Sequence, residues 1–249
     1  MSKPGALATA IAALIVAVAA WLGFDLERIA GAPGSATPQE TAPPPAPQRD
    51  TKPAPHPAIP EGDFDYYVLA LSWSPSYCET EATERDRLQC GGRSFGFIVH
   101  GLWPQNERGY PEDCPTDTPR VPDALVDEML DIMPSRGLIG HEWRSHGACT
   151  GMSQEDYFAA MRAAWERVTI PDRFLHADKP ASMSARQVAQ EFLRANPGMM
   201  DGALAVTCDG ERLDEVRICL TRDLQFQPCG AQSRRAQCRR DQLDIPAAP

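Results

Sequence analysis

Two stretches decide how this chain reads: Phe97-Ile98-Val99-His100-Gly101-Leu102-Trp103-Pro104 and His141-Glu142-Trp143-Arg144-Ser145-His146-Gly147-Ala148-Cys149. Three of the five histidines lie inside them, which points to a site built on imidazole. In the first stretch Phe95, Phe97 and Val99 alternate with smaller or polar neighbours, and aromatic and β-branched residues favour a strand. Gly101 and Pro104 read as its end, so His100 is expected where a strand hands over to a loop, a common place for a functional side chain.

The second stretch invites a metal reading, because zinc proteases carry two histidines at i and i+4 around a glutamate. Here the histidines are five positions apart. On a helix, i and i+5 point roughly 140° apart, so His141 and His146 cannot grip one ion from one face. Glu142 and His146, at i and i+4, do share a face. That spacing favours acid–base chemistry over a zinc site. Two imidazoles beside one phosphodiester can act together: the neutral one takes a proton from a hydroxyl, and the protonated one gives a proton to the leaving oxygen. Histidine suits both roles because its ordinary pKa of about 6.5 leaves either form accessible.

Both stretches resemble the two active-site boxes of the ribonuclease T2 family, His-Gly-Leu-Trp-Pro and His-Glu-Trp-x-Lys-His-Gly-Thr-Cys. The first box matches fully. The second departs at Ser145, where the family usually has lysine, and at Ala148, where it often has threonine. The similarity covers roughly Asp63 to Cys238. It implies an α+β domain with an antiparallel sheet flanked by helices. It also implies metal-independent cleavage of single-stranded RNA, with no cofactor. The 2′-hydroxyl attacks phosphorus, the 5′-oxygen leaves, and a 2′,3′-cyclic phosphate forms. DNA lacks that nucleophile and is excluded.

The resemblance assigns His146 as general base, His100 as general acid and Glu142 to stabilising the transition state. His141 would hold the phosphate, and Trp103 would stack on a base. Ser145 brings no charge, so activity is expected to persist in weakened form, and Ser145→Lys to raise turnover. Arg144 is a candidate substrate-binding cation, although one residue turns about 100° round a helix. Two other readings stand beside this one. One is a family member that binds RNA or a partner without cutting; the other is a zinc hydrolase on the His141 box. Trp143 reads as packing, and His56 and His176 as ordinary surface residues.

Along the rest of the chain, residues 1–31 read as a signal peptide or membrane anchor. The apolar run Ala6–Phe24 is long enough to span a bilayer, and Ala17-Val18-Ala19 offers a small-residue cleavage site. Residues 32–62 read as a disordered linker, because ten prolines fall between Ala32 and Pro60 and such a tract cannot bury a core. Residues 63–249 form the catalytic domain. It begins with a strand at Tyr66–Trp73 that Pro75 ends. Helices follow from Pro122 to about Met133, at the His141 box, from Ser153 to about Val168, and from Ser184 to Pro197. Ser184 and Gln187 make a capping-box pattern. Leu204–Thr207 and Val216–Leu220 read as a hairpin around Asp209-Gly210, with a loop longer than two residues. Arg234, Arg235, Arg239 and Arg240 form a basic end that reads as a solvated face.

Eight cysteines and an export segment point to four disulfides in an oxidising compartment, periplasmic or extracellular. Their spacing alone does not choose a pairing. The resemblance suggests Cys114–Cys149; Cys78–Cys90 would close a local loop, and Cys219–Cys229 would nest inside Cys208–Cys238. A net charge of −10 is unexpected for a protein that binds a polyanion. Recognition must then rest on local contacts. Low pH would reduce the acidic charge and protonate the acid histidine, so an acid-shifted optimum is expected. The protein is expected to act as a monomer.

Overall fold

The computed structural model describes residues 63–80, 86–91 and 95–248. The apolar run and the proline-rich tract, with His56, lie outside the described residues, and so do the anchor and linker expectations. Among the described residues no helix is long and apolar enough to cross a membrane.

The first strand, β1, is Tyr66–Trp73, as its alternation predicts. Tyr67, Leu69, Leu71 and Trp73 enter the main core, while Tyr66 and Val68 pack on the other face with Cys219 and Cys229. Pro75 ends the strand by opening helix α1 (Ser74–Thr80), where its missing N–H costs nothing. Then come α2 (Arg87–Cys90), β2 (Phe97–Gln105), α3 (Asp123–Met129), α4 (Arg136–Ser145), a 3₁₀ turn at Gly147–Thr150 and α5 (Gln154–Arg167). The chain continues through α6 (Asp172–Leu175), β3 (Ala181–Met183), α7 (Ala185–Ala195), β4 (Leu204–Asp209), β5 (Arg212–Leu220), α8 (Ala231–Arg235) and β6 (Leu243–Ile245). The Ser184 capping box forms as expected, with Gln187 returning a bond to the Ser184 backbone. His176 follows α6 and is exposed.

The sheet runs β2-β1-β5-β6-β3, with β4 also paired to β5. All its pairings are antiparallel but one. β6 meets β5 in parallel through Arg212 and Asp244, so the sheet is mixed rather than purely antiparallel. Two further expectations are corrected. The β4–β5 loop has only two residues, Gly210 and Glu211, with Gly210 at φ 56°. A glycine in the left-handed region is what so tight a turn requires. β5 therefore begins at Arg212, and its polar first half is strand, not loop.

β2 likewise does not stop at Gly101; it continues through Pro104 to Gln105. An edge strand tolerates proline because no second neighbour needs its N–H. The register against β1 pairs Ala70 with Gly101 and Leu71 with Val99, which leaves His100 as the extra residue of a bulge. Upstream, Phe97 and Val99 face the core; downstream, Leu102 does. The bulge switches the parity of the strand, so His100 and Trp103, three apart, both turn to the face opposite the core. A regular strand would send them to opposite faces.

The four disulfides pair Cys78–Cys90, Cys114–Cys149, Cys208–Cys238 and Cys219–Cys229. This pattern agrees with the pairing expected from the sequence.

Candidate active site

The site lies on the non-core face of the sheet, between β2, β5 and the end of α4. Tyr157 on α5 fixes the depth of β2 by donating from its hydroxyl to Leu102 O (3.0 Å). α4 starts at Ser135, whose side chain accepts from Leu138 N. It ends at His146, where φ −126° and ψ −47° leave the helical region. The last turn still closes, with His146 N donating to Glu142 O (3.0 Å). His146 is thus a residue that leaves the helix, not a member of its face.

Trp103 is the hub. Its ring centroid is 5.2 Å from that of His100 and 5.5 Å from that of His146, so the two imidazoles flank one indole. Its Nε1 donates to Glu142 Oε2 (2.8 Å). Glu142 is buried, and its Oε1 is 3.7 Å from His100 Nε2. Gly101 makes this approach possible: a Cβ there would fall 2.0 Å from Glu142 Oε2 and 2.4 Å from Trp103 Nε1.

The two histidines have opposite environments. Burial pulls His100 down, but the hydrogen bond and charge of Glu215, with the charge of Glu142, outweigh it and raise its pKa above the ordinary value. His100 Nδ1 lies 2.5 Å from Glu215 Oε1. Burial drives His146 down to about 4, helped by repulsion from His141 and His100, with Asp113 opposing weakly. Among the described residues, nothing accepts from its buried Nδ1. Burial also pushes Glu142 up to about 7, against the opposing pull of His100 and Trp103. Glu215, though buried, is held down at about 2 by His100 and Arg217.

Glu215 and Arg217 were not singled out by the sequence reading. They are two apart on β5, hence on one face; Arg217 Nε donates to Glu215 Oε2 (2.7 Å), and its Nη2 lies within ion-pair reach of the same oxygen (2.7 Å). A signal was available. Val216, Ile218 and Leu220 alternate as core residues, and extending that period backwards makes Glu215 and Arg217 the other face of a strand.

The remaining candidates divide. His141 is exposed on α4 but close enough to affect His146 electrostatically. Ser145 is buried, and its hydroxyl donates to Asp113 Oδ1 (2.9 Å). Arg144 does not join the imidazoles; it lines a separate groove with Arg120, Arg136 and Gly140 on the outer side of α4. Trp143 is packing, as expected, with Nε1 donating to Thr118 O (2.7 Å). No group of three or more His, Cys, Asp or Glu among the described residues has the arrangement of a metal site.

Fold and site together define an α+β protein with a strand-borne and a helix-end imidazole around a buried carboxyl group. The model of the ribonuclease T2 family matches residues 64–229, and the chain belongs to that family. It is 42% identical over 137 residues to a ribonuclease from Aeromonas hydrophila, covering 55% of this chain and 58% of that protein. It is 37% identical over 148 residues to a probable ribonuclease from Haemophilus influenzae, covering 53% and 54%. The chain thus spans little more than half the length of these two relatives. The solved structure of RNase NT in complex with 5′-AMP superposes with a TM-score of 0.61 at 20% identity, covering 74% of this chain and 99% of that one. At that identity the likeness speaks for the fold.

Proposed function

We propose that the protein is an endoribonuclease that cleaves single-stranded RNA by transphosphorylation, using His100, His146 and Glu142 and no metal ion. The observation that carries this reading is the opposite bias of two imidazoles around one indole: His146 favoured neutral, His100 favoured protonated. His146 takes the proton of the 2′-hydroxyl as the 2′-oxygen bonds to phosphorus. His100 gives its proton to the 5′-oxygen as the phosphorus–oxygen bond breaks. Glu142, kept protonated at mildly acidic pH by burial, donates a hydrogen bond to a non-bridging oxygen as charge grows there.

Two cavities suit the two nucleosides. One of about 250 Å³ is lined by Trp103, Tyr110 and His146, on the side of the base. The other, of about 430 Å³, is lined by Ser72, Tyr77 and His100, on the side of the acid. Trp103 then offers its indole to a base of the attacking nucleoside, and His141 its exposed imidazole to a neighbouring phosphate. Four disulfides support action in an oxidising compartment after export.

The test is to incubate the purified full chain with a single-stranded RNA oligonucleotide, with and without EDTA, and to identify the product ends by mass spectrometry. The expected result is 2′,3′-cyclic phosphate ends at an unchanged rate in EDTA. No cleavage would leave the non-catalytic binding member as the surviving reading, and loss of cleavage in EDTA would overturn the two-imidazole mechanism.

A further inference from the structure

Arg217 sits where the two cavities meet; among the described residues it is the one that lines both. A phosphodiester joining a nucleoside in each cavity passes it. Building on the ribonuclease reading, we infer that Arg217 is the cation that grips the scissile phosphate, with Glu215 positioning it and the acid histidine as one unit.

The sheet makes room for this. Arg217 pairs with Ala70 on one neighbouring strand and Ala205 on the other, and Ala70 pairs in turn with Gly101. Residues paired directly across strands share a face. The row Gly101, Ala70, Arg217, Ala205 is therefore a floor of small residues from which one long side chain rises. Its guanidinium carbon lies 5.1 Å from the centre of the Trp103 ring, a cation–π distance that holds it beside the indole the two histidines flank.

The hydrogen-bond inventory leaves capacity for a ligand. A guanidinium has five N–H donors. Nε and Nη2 both address Glu215 Oε2 (2.7 Å), which leaves Nη1 for phosphate oxygens. The other carboxylate oxygen, Oε1, takes His100 Nδ1 and the Ser72 hydroxyl (2.5 and 3.2 Å). One buried carboxylate thus fixes the acid by one oxygen and the cation by the other. Arg144 lies in another groove, Arg212 in the second cavity is engaged with Glu79 (3.2 Å), and Ser145 brings a hydroxyl already given to Asp113.

The test needs an active wild-type chain and two measurements. Arginines are first modified with phenylglyoxal with and without inorganic phosphate, and mapped by mass spectrometry. Phosphate is expected to slow modification of Arg217 but not of Arg120 in the outer groove. Equal modification of Arg217 with and without saturating phosphate overturns the inference without needing a variant. Turnover of a ribodinucleoside monophosphate is then compared for wild type, Arg217→Lys and Arg217→Gln, with inorganic phosphate as competitive inhibitor. Arg217→Gln is expected to lower kcat about 100-fold, the scale of losing one transition-state donor, and to raise the phosphate inhibition constant about tenfold. Arg217→Lys should recover part of both. A Gln variant within about threefold of wild type in both quantities overturns the inference. A wild type that cleaves no RNA at all ends the underlying ribonuclease reading instead.

Discussion

His100 and His146 stand on either side of one tryptophan and have opposite surroundings. His100 sits on a strand bulge between two buried carboxyl groups, Glu215 and Glu142, which favour its charged form. His146 sits half-buried at the end of a helix, where burial and the charges of His141 and His100 outweigh Asp113 and disfavour its charged form. Residue type is the same in both places; the difference in favoured charge state comes from the neighbours. The pattern that assigns roles in a site is pairs of titratable groups pushed apart.

The comparison breaks most easily at the histidines themselves. His100→Ala and His146→Ala are each expected to cost about 10²- to 10⁴-fold in kcat, and the double variant little more than the worse single one, since the two act as a unit. In the wild type, kcat/KM should rise with pH through about 4, as His146 loses its proton. It should fall as pH passes the raised pKa of His100. A profile that is flat from pH 3 to 9 would contradict the assignment.

Glu215→Gln sharpens the comparison from the acid side. Its removal takes away the main influence raising His100, so the alkaline limb should move to lower pH. At pH 7, kcat should drop about tenfold or more, by the weight of one well-placed charge. Histidine proton NMR would follow the His100 titration directly. The same carboxylate bears on stability. Glu215 is depressed to about 2 in the folded chain, so its contribution is present above its unfolded value and is lost as pH falls towards 2.

Gly101→Ala probes the ground between the two histidines. A methyl group there meets the Glu142 carboxyl, and overpacking of this kind costs about 1–3 kcal/mol. A lower Tm with a fall in kcat of about tenfold is expected. The smallest effect belongs to Ser145→Lys. A new ammonium there faces Asp113, already bonded to Ser145, and that carboxylate would take up most of its charge. Turnover should rise by less than about tenfold, well under the value of an unpaired oxyanion donor. A larger gain would mean that position 145, and not Arg217, is where the phosphate needs its cation.

Much of this was legible in the chain. The alternation from Tyr66 to Trp73 gave a strand with the observed ends. Ser184 and Gln187 formed their capping box, and the two histidine boxes come together around Trp103. The readings that failed share a cause. Gly101 and Pro104 weaken a strand in isolation; an edge position and a close-packed carboxyl make them useful in β2 instead. Arg212 to Glu215 lie before the apolar alternation of Val216 to Leu220, yet they are strand, with Leu213 in the core and Arg212, Asp214 and Glu215 lining a cavity.

The sequence by itself determined the first strand, the Ser184 capping box and, through the two boxes it shares with the ribonuclease T2 family, the class of fold, because these rest on local periodicity and on short, specific motifs. Only the tertiary structure decided the opposite surroundings of the two histidines, and that Glu215 and Arg217 join them. A one-residue bulge at His100 reversed the facing of β2, and a strand more than one hundred residues later in the chain delivered the carboxylate. Neither the parity of a paired strand nor the electrostatics across a sheet is written in neighbouring residues, because both arise from contacts that exist only once the chain has folded.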